Sequence, residues 1–136
     1  DRNGQRDRAI QDFDQAIRLN PRDADAFNGR CYAKASAGSL DSALADCNES
    51  LRLRPGDAAT LDSRGFTYLK MRRLPQAIAD YDAALKIEPK KAEALFGRGV
   101  ARRQMGDASG GDADIAAATA IDSKVAERLA RRGVVP

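Results

Sequence analysis

Arginine recurs at Arg30, Arg64, Arg98 and Arg132, and aspartate at Asp12, Asp46, Asp80 and Asp114, both series in steps of 34 residues. A guanidinium and a carboxylate form a bidentate, charge-assisted pair that fixes orientation more than it adds net stability. Each aspartate stands 18 residues before an arginine, so the series pair without remainder as Asp12–Arg30, Asp46–Arg64, Asp80–Arg98 and Asp114–Arg132. This phasing predicts a ladder across successive structural junctions. A rival pairing sets Arg30 against Asp46 inside one unit. Either way the charges are structural rather than catalytic.

The rest of the chemistry is sparse. Histidine is absent, which removes the commonest zinc ligand and the usual neutral-pH proton shuttle. The only cysteines, Cys31 and Cys47, form no C-x-x-C pair and have no activating histidine, so a thiol redox centre is not indicated. Carboxylates are plentiful, but they fall on periodic positions and no isolated pair stands out for acid–base work. The run Asp112-Ala113-Asp114 after Ser109-Gly110-Gly111 lacks the oxygen spacing and terminal glutamate of a calcium loop. No cofactor or metal site is predicted, and the chain does not read as an enzyme.

What positions these residues is a repeat. Among 136 residues, 26 are alanine, aromatics supply 5% and tryptophan is absent, a composition suited to closely packed helices rather than a β-sandwich. Pro21, Pro55 and Pro89 share the 34-residue step. So do Ala9, Ala43 and Ala77, the bulkier column Phe13, Cys47, Tyr81 and Ile115, and the column Leu19, Leu53, Ile87 and Ile121. Within one period, Ala77, Ile78, Tyr81, Ala84, Leu85 and Ile87 form a stripe at helical spacing. Each proline follows such a stripe by two residues, and Gly4, Gly38 and Gly106, with Arg72 in the matching place, mark a second break. One period is two antiparallel helices joined by a short turn.

These residues resemble the tetratricopeptide repeat family, whose unit is a 34-residue helix–turn–helix. The unit at 58–91 fits best, with Leu61, Gly65, Tyr68, Ala77, Tyr81 and Pro89. The unit at 24–57 keeps Phe27, Ala43 and Pro55; that at 92–123 keeps Leu95 and Gly99. Residues 1–23 match only a second helix, and 126–135 echo the first-helix segment 92–101. The expectation is one all-α domain over 1–136, a right-handed superhelical solenoid of about seven to eight helices. It comprises a truncated unit at 1–23, three full units, and a closing helix at 124–136. The truncated start suggests a fragment, a processed chain or a disordered start. The small residues at 109–114 are expected to pack closely under the closing helix.

In a pair folded back on itself, Cys31 and Cys47 should face each other, as Gly65 faces Tyr81 and Gly99 faces Ile115. Two medium-sized side chains would fill that space as thiols, and a disulfide also fits. If oxidised, the pair implies an exported, for example periplasmic, protein; otherwise a cytoplasmic one is expected.

The resemblance implies that first helices line a concave groove where a peptide or protein partner lies. Carried over residue by residue, that face holds Asp25, Asn28 and Tyr32; Asp62, Ser63, Phe66, Leu69 and Lys70; and Glu93, Phe96, Val100 and Arg103. Tyr32, Phe66, Leu69, Phe96 and Val100 would make an apolar floor with Asp25, Asp62 and Glu93 as an acidic rim. Of the lysine–asparagine–arginine clamp by which some members hold a chaperone's C-terminal carboxylate, only Asn28 survives, so that activity is not expected. The net charge of +3 resides wholly in 124–136 (Lys124, Arg128, Arg131 and Arg132 against Glu127). A tail of that kind reads as a solvated helix with cations opposing its dipole rather than a nucleic-acid stripe. No apolar run is long enough to span a membrane. The function expected is a non-catalytic interaction scaffold, or else an accessory segment of a larger enzyme. The oligomeric state is not legible.

Overall fold

The computed structural model describes residues 2–136; Asp1, where the truncated unit was expected to begin, lies outside them. Among the described residues the chain forms helices and no strand. They are α1 (Arg2–Leu19), α2 (Ala24–Ala37), α3 (Leu40–Leu53), α4 (Ala58–Lys70), α5 (Leu74–Ile87), α6 (Ala92–Gln104), α7 (Ala108–Ile121) and α8 (Val125–Ala130). Consecutive helices pack on each other, and α2, α4 and α6 also lie side by side. The result is a right-handed superhelical solenoid of antiparallel pairs.

Local chemistry sets the boundaries. Helices α1, α3 and α5 each end two residues before a proline, because the residue preceding proline is pushed out of helical conformation. The reversal inside each pair uses one left-handed residue: Gly38 at φ 92°, Arg72 at 63° and Gly106 at 94°. Asp23 opens α2 by accepting from the Ala26 amide at 3.0 Å, and Asp107 opens α7 by accepting from Gly110 at 2.9 Å. Each satisfies one of the amides a helix start leaves unpaired.

A bulky residue from a second helix wedges between two first helices. Tyr81 of α5 lies against Gly65 of α4 and Gly97 of α6; a methyl added at Gly97 would sit 2.4 Å from its ring and hydroxyl. Phe13 of α1 meets Gly29 of α2 in the same way. One continuous core runs through Cys47, Phe66, Tyr81, Leu95, Phe96 and Val100 to Val125, Leu129 and Val134.

The column Leu19, Leu53, Ile87 and Ile121 closes the second helices, and Leu19, Ile87 and Ile121 are exposed. One expectation changes. The small residues of α7 serve its contact with α6 rather than a close approach to the closing helix. A methyl at Gly111 would stand 2.6 Å from the Gly99 carbonyl, so the two backbones nearly touch.

Candidate functional site

The arginines are paired, but not as the 18-residue phasing predicts. Arg30 donates from Nε and Nη2 to both carboxylate oxygens of Asp46, at 2.8 and 2.7 Å. Arg64 grips Asp80 at 2.7 and 2.8 Å, and Arg98 grips Asp114 at 2.9 Å for both bonds. These are the within-unit pairs, so Asp12–Arg30, Asp46–Arg64, Asp80–Arg98 and Asp114–Arg132 are corrected. Each guanidinium also crosses the junction, to Asp14, Asn48 or Asp82 at 2.8, 3.1 and 2.9 Å respectively. All these partners lie 16 residues away. A partner 18 back is displaced by two positions, roughly 200° around the preceding helix, so it faces elsewhere; Asp12 is exposed. Arg132 has left the ladder: it stacks over Tyr32 with its guanidinium carbon 5.2 Å from the ring centre.

Cys31 and Cys47 are joined by a disulfide, with Cα atoms 5.4 Å apart and both residues fully buried. It staples α2 to α3 at the place where Tyr81 fills the next pair.

The face shared by α2, α4 and α6 collects the residues assigned to the groove, but not as an open floor. Phe66, Leu69, Phe96 and Val100 are buried in the core. Truncating Phe66 and Phe96 to alanine would therefore open cavities rather than only weaken binding, which corrects the expectation that these rings are free contact residues. Tyr32 stacks on Phe66 with centroids 4.8 Å apart, and Lys70 Nζ lies 5.6 Å from the same ring. Ser63 is buried. At the ends of the face, Asp25 pairs with Arg54 at 2.7 Å and Arg103 with Asp112 at 3.5 Å, both pairs largely exposed.

The cover is the end of the chain. Helix α8 packs on α6 and α7, and the turn after it crosses the face. Arg128 donates to Glu93 at 2.8 Å and pairs with Asp122 at 2.6 Å. Lys70 donates to the Arg132 carbonyl at 2.9 Å, Arg6 to the Arg131 carbonyl at 3.2 Å, and Val134 is buried. Between this turn, α1 and α2 runs a cleft of about 600 Å³ that touches Arg6, Tyr32 and Ser36. The cationic tail is therefore not a solvated helix. Its half-buried Arg128 pairs with Glu93 of α6, and its half-buried Arg132 lies over Tyr32 of α2.

On α4, Asp62 is nine-tenths buried and accepts no hydrogen bond from any described residue. Desolvation pushes its carboxyl up to about 7; Lys91 opposes the shift, and Glu93 and Glu88 reinforce it. Burial likewise raises the Tyr32 hydroxyl to about 12, against the pull of Arg132. The Asn28 Oδ1 and Ser36 Oγ atoms, on the same helical row as Tyr32, are buried without hydrogen-bond partners.

Stacked helix pairs with one lined face define a helical-repeat solenoid. Two family models match the sequence, one described as tetratricopeptide repeat over residues 1–58 and one as TPR repeat over 73–106. The chain belongs to the tetratricopeptide repeat family. No curated protein matches it. Among solved structures it is similar to a thermophilic TPR protein of Thermus thermophilus, with TM-score 0.81 and 20% identity over 95% of this chain and 78% of that one. It is also similar to MamA protein, at 0.71 and 20% over 90% and 67%. For the Arabidopsis OM64 TPR domain the values are 0.70 and 22% over 82% and 96%. At these identities the likeness is one of fold.

Proposed function

We propose that this chain is a non-catalytic protein-interaction scaffold that holds a peptide or protein segment against the concave face of α2, α4 and α6. The observation that carries this reading is that a polypeptide segment already sits there. Residues 131–134 cross the face, bury an apolar side chain in it, and offer main-chain carbonyls to Lys70 of α4 and to Arg6 of the flanking α1. A surface that satisfies a segment's backbone while burying its side chains has what peptide recognition needs. The buried disulfide supports an oxidising compartment as the place of work. No helix among the described residues is long and apolar enough to cross a membrane.

The test is site-specific photo-crosslinking in cells of the source organism. A photoreactive residue at Tyr32 or Arg103 should capture a partner, while one at Leu19 or Ile87, on the exposed apolar edge, should not. Capture from the edge positions alone would overturn the concave-face reading.

A further inference from the structure

The molecule offers three features beyond the repeat: an apolar ladder along the second-helix ends, an arginine-lined cleft, and the chain's own C-terminal segment lodged in the groove. The ladder has nothing seated on it. The cleft exists because the segment forms one of its walls. The segment itself makes contacts across the face.

We infer that the face of α2, α4 and α6 is a receptor for a short basic amphipathic segment, and that residues 131–134, with Arg128 leading into them, occupy it in cis until a partner segment of that chemistry displaces them. The inference rests on the scaffold reading above and names the class of partner.

The recognised chemistry is read from the resident segment. Val134 is its buried apolar contact with the face, while Val125 and Leu129 anchor the preceding helix on α6 and α7. Its cations are Arg128, bonded to Glu93, and Arg132, stacked on Tyr32. A ligand of the same class therefore needs an apolar side chain that follows guanidinium groups at the spacing of Arg128, Arg132 and Val134.

Two observations make the resident segment a poor permanent occupant. First, it is weakly built. Helix α8 has six residues and no side-chain bond at its N-cap, a length with little helical stability of its own, and among helices it packs only on α6 and α7. Second, it leaves acceptors unmet. The Asn28 Oδ1 and the Ser36 Oγ remain buried and without partners while it is bound. A segment carrying further arginine or lysine side chains, and donors for these atoms, satisfies what the resident one does not. An unmet buried acceptor is expensive to leave and favours exchange.

The test uses the full chain and a fluorescent peptide with the sequence of residues 124–136. Leu129→Asp releases the resident segment; far-UV circular dichroism and amide exchange in α2–α7 confirm that the stack persists. Because apparent affinity scales with the open fraction, the variant should bind the peptide about tenfold more tightly than wild type. A peptide with glutamate in place of both groove-facing arginines should lose that binding. If Leu129→Asp fails to fold, Arg128→Glu with Arg132→Glu in the full chain gives the same comparison.

Equal affinity of wild type and variant would overturn the displacement. Tight binding of the glutamate peptide, with protection of α2, α4 and α6 amides, would overturn the basic class yet leave the scaffold reading standing. No binding of either peptide to a folded variant would overturn the inference, and the crosslinking above then decides the scaffold reading separately. A wild-type dimer that the peptide dissociates would show the segment docking between copies, and would overturn occupation in cis.

Discussion

Burial in the α4 face leaves the Asp62 carboxylate without a donor, and its proton is held to about pH 7. The unfolded chain releases that proton near 3.8. Between these values the native state binds more protons than the unfolded one, so stability falls as pH rises from about 4 to 7 and levels off above. Asp62→Asn should abolish this fall and raise stability at pH 8 by about 1–3 kcal/mol. Urea unfolding across that range checks it; a wild-type profile that rises or stays flat would contradict the burial argument. At this scale the sequence showed which residue types recur but not what they touch. Arg30, Arg64 and Arg98 are legible as structural because they are periodic. Their partners are not, because a shift of two residues in phase turns a side chain to the other side of its helix.

Helix pairs meet where a large side chain finds a small one. Tyr81 fills the space between α4 and α6 only because Gly65 and Gly97 present no side chain. Gly97→Ala gains helix propensity but drives a methyl into an enclosed ring, and should lower stability by about 1–2 kcal/mol net. Tyr81→Phe in that background should recover part of the loss, since the hydroxyl is among the atoms struck. Thermal unfolding of wild type and the two variants checks both statements. The starts of α2, α4 and α6 were legible, because proline and left-handed turn residues act locally, whereas the closing helix expected over 124–136 spans only Val125–Ala130. The use of glycine in α7 was not. Gly111 serves backbone approach to α6, a requirement invisible until both helices are placed.

At the scale of the whole molecule, stability in a solenoid is close to a sum over units and their interfaces. The Cys31–Cys47 bond constrains one unit only. Reduction should remove about 3 kcal/mol from it. Amide exchange should then accelerate first in α2 and α3, next in α1 and α4, and least in α6 and α7; uniform acceleration would mean that the stack unfolds as one body. The disulfide joins residues whose facing placement followed from the repeat, while its formation did not.

The repeat and the helix pairs follow from periodicity, which is written into neighbouring residues, and the stacking and the face lined by first helices are what the family resemblance implies. The covering of that face is not written there. Residues 126–135 echo a first helix and so promise another step of the stack. The echo ends at Ala130, and the chain instead turns across the groove to meet Glu93, Lys70 and Tyr32. That choice depends on charge and apolar surface gathered from three helices distant in sequence. Only the folded stack brings them to one place.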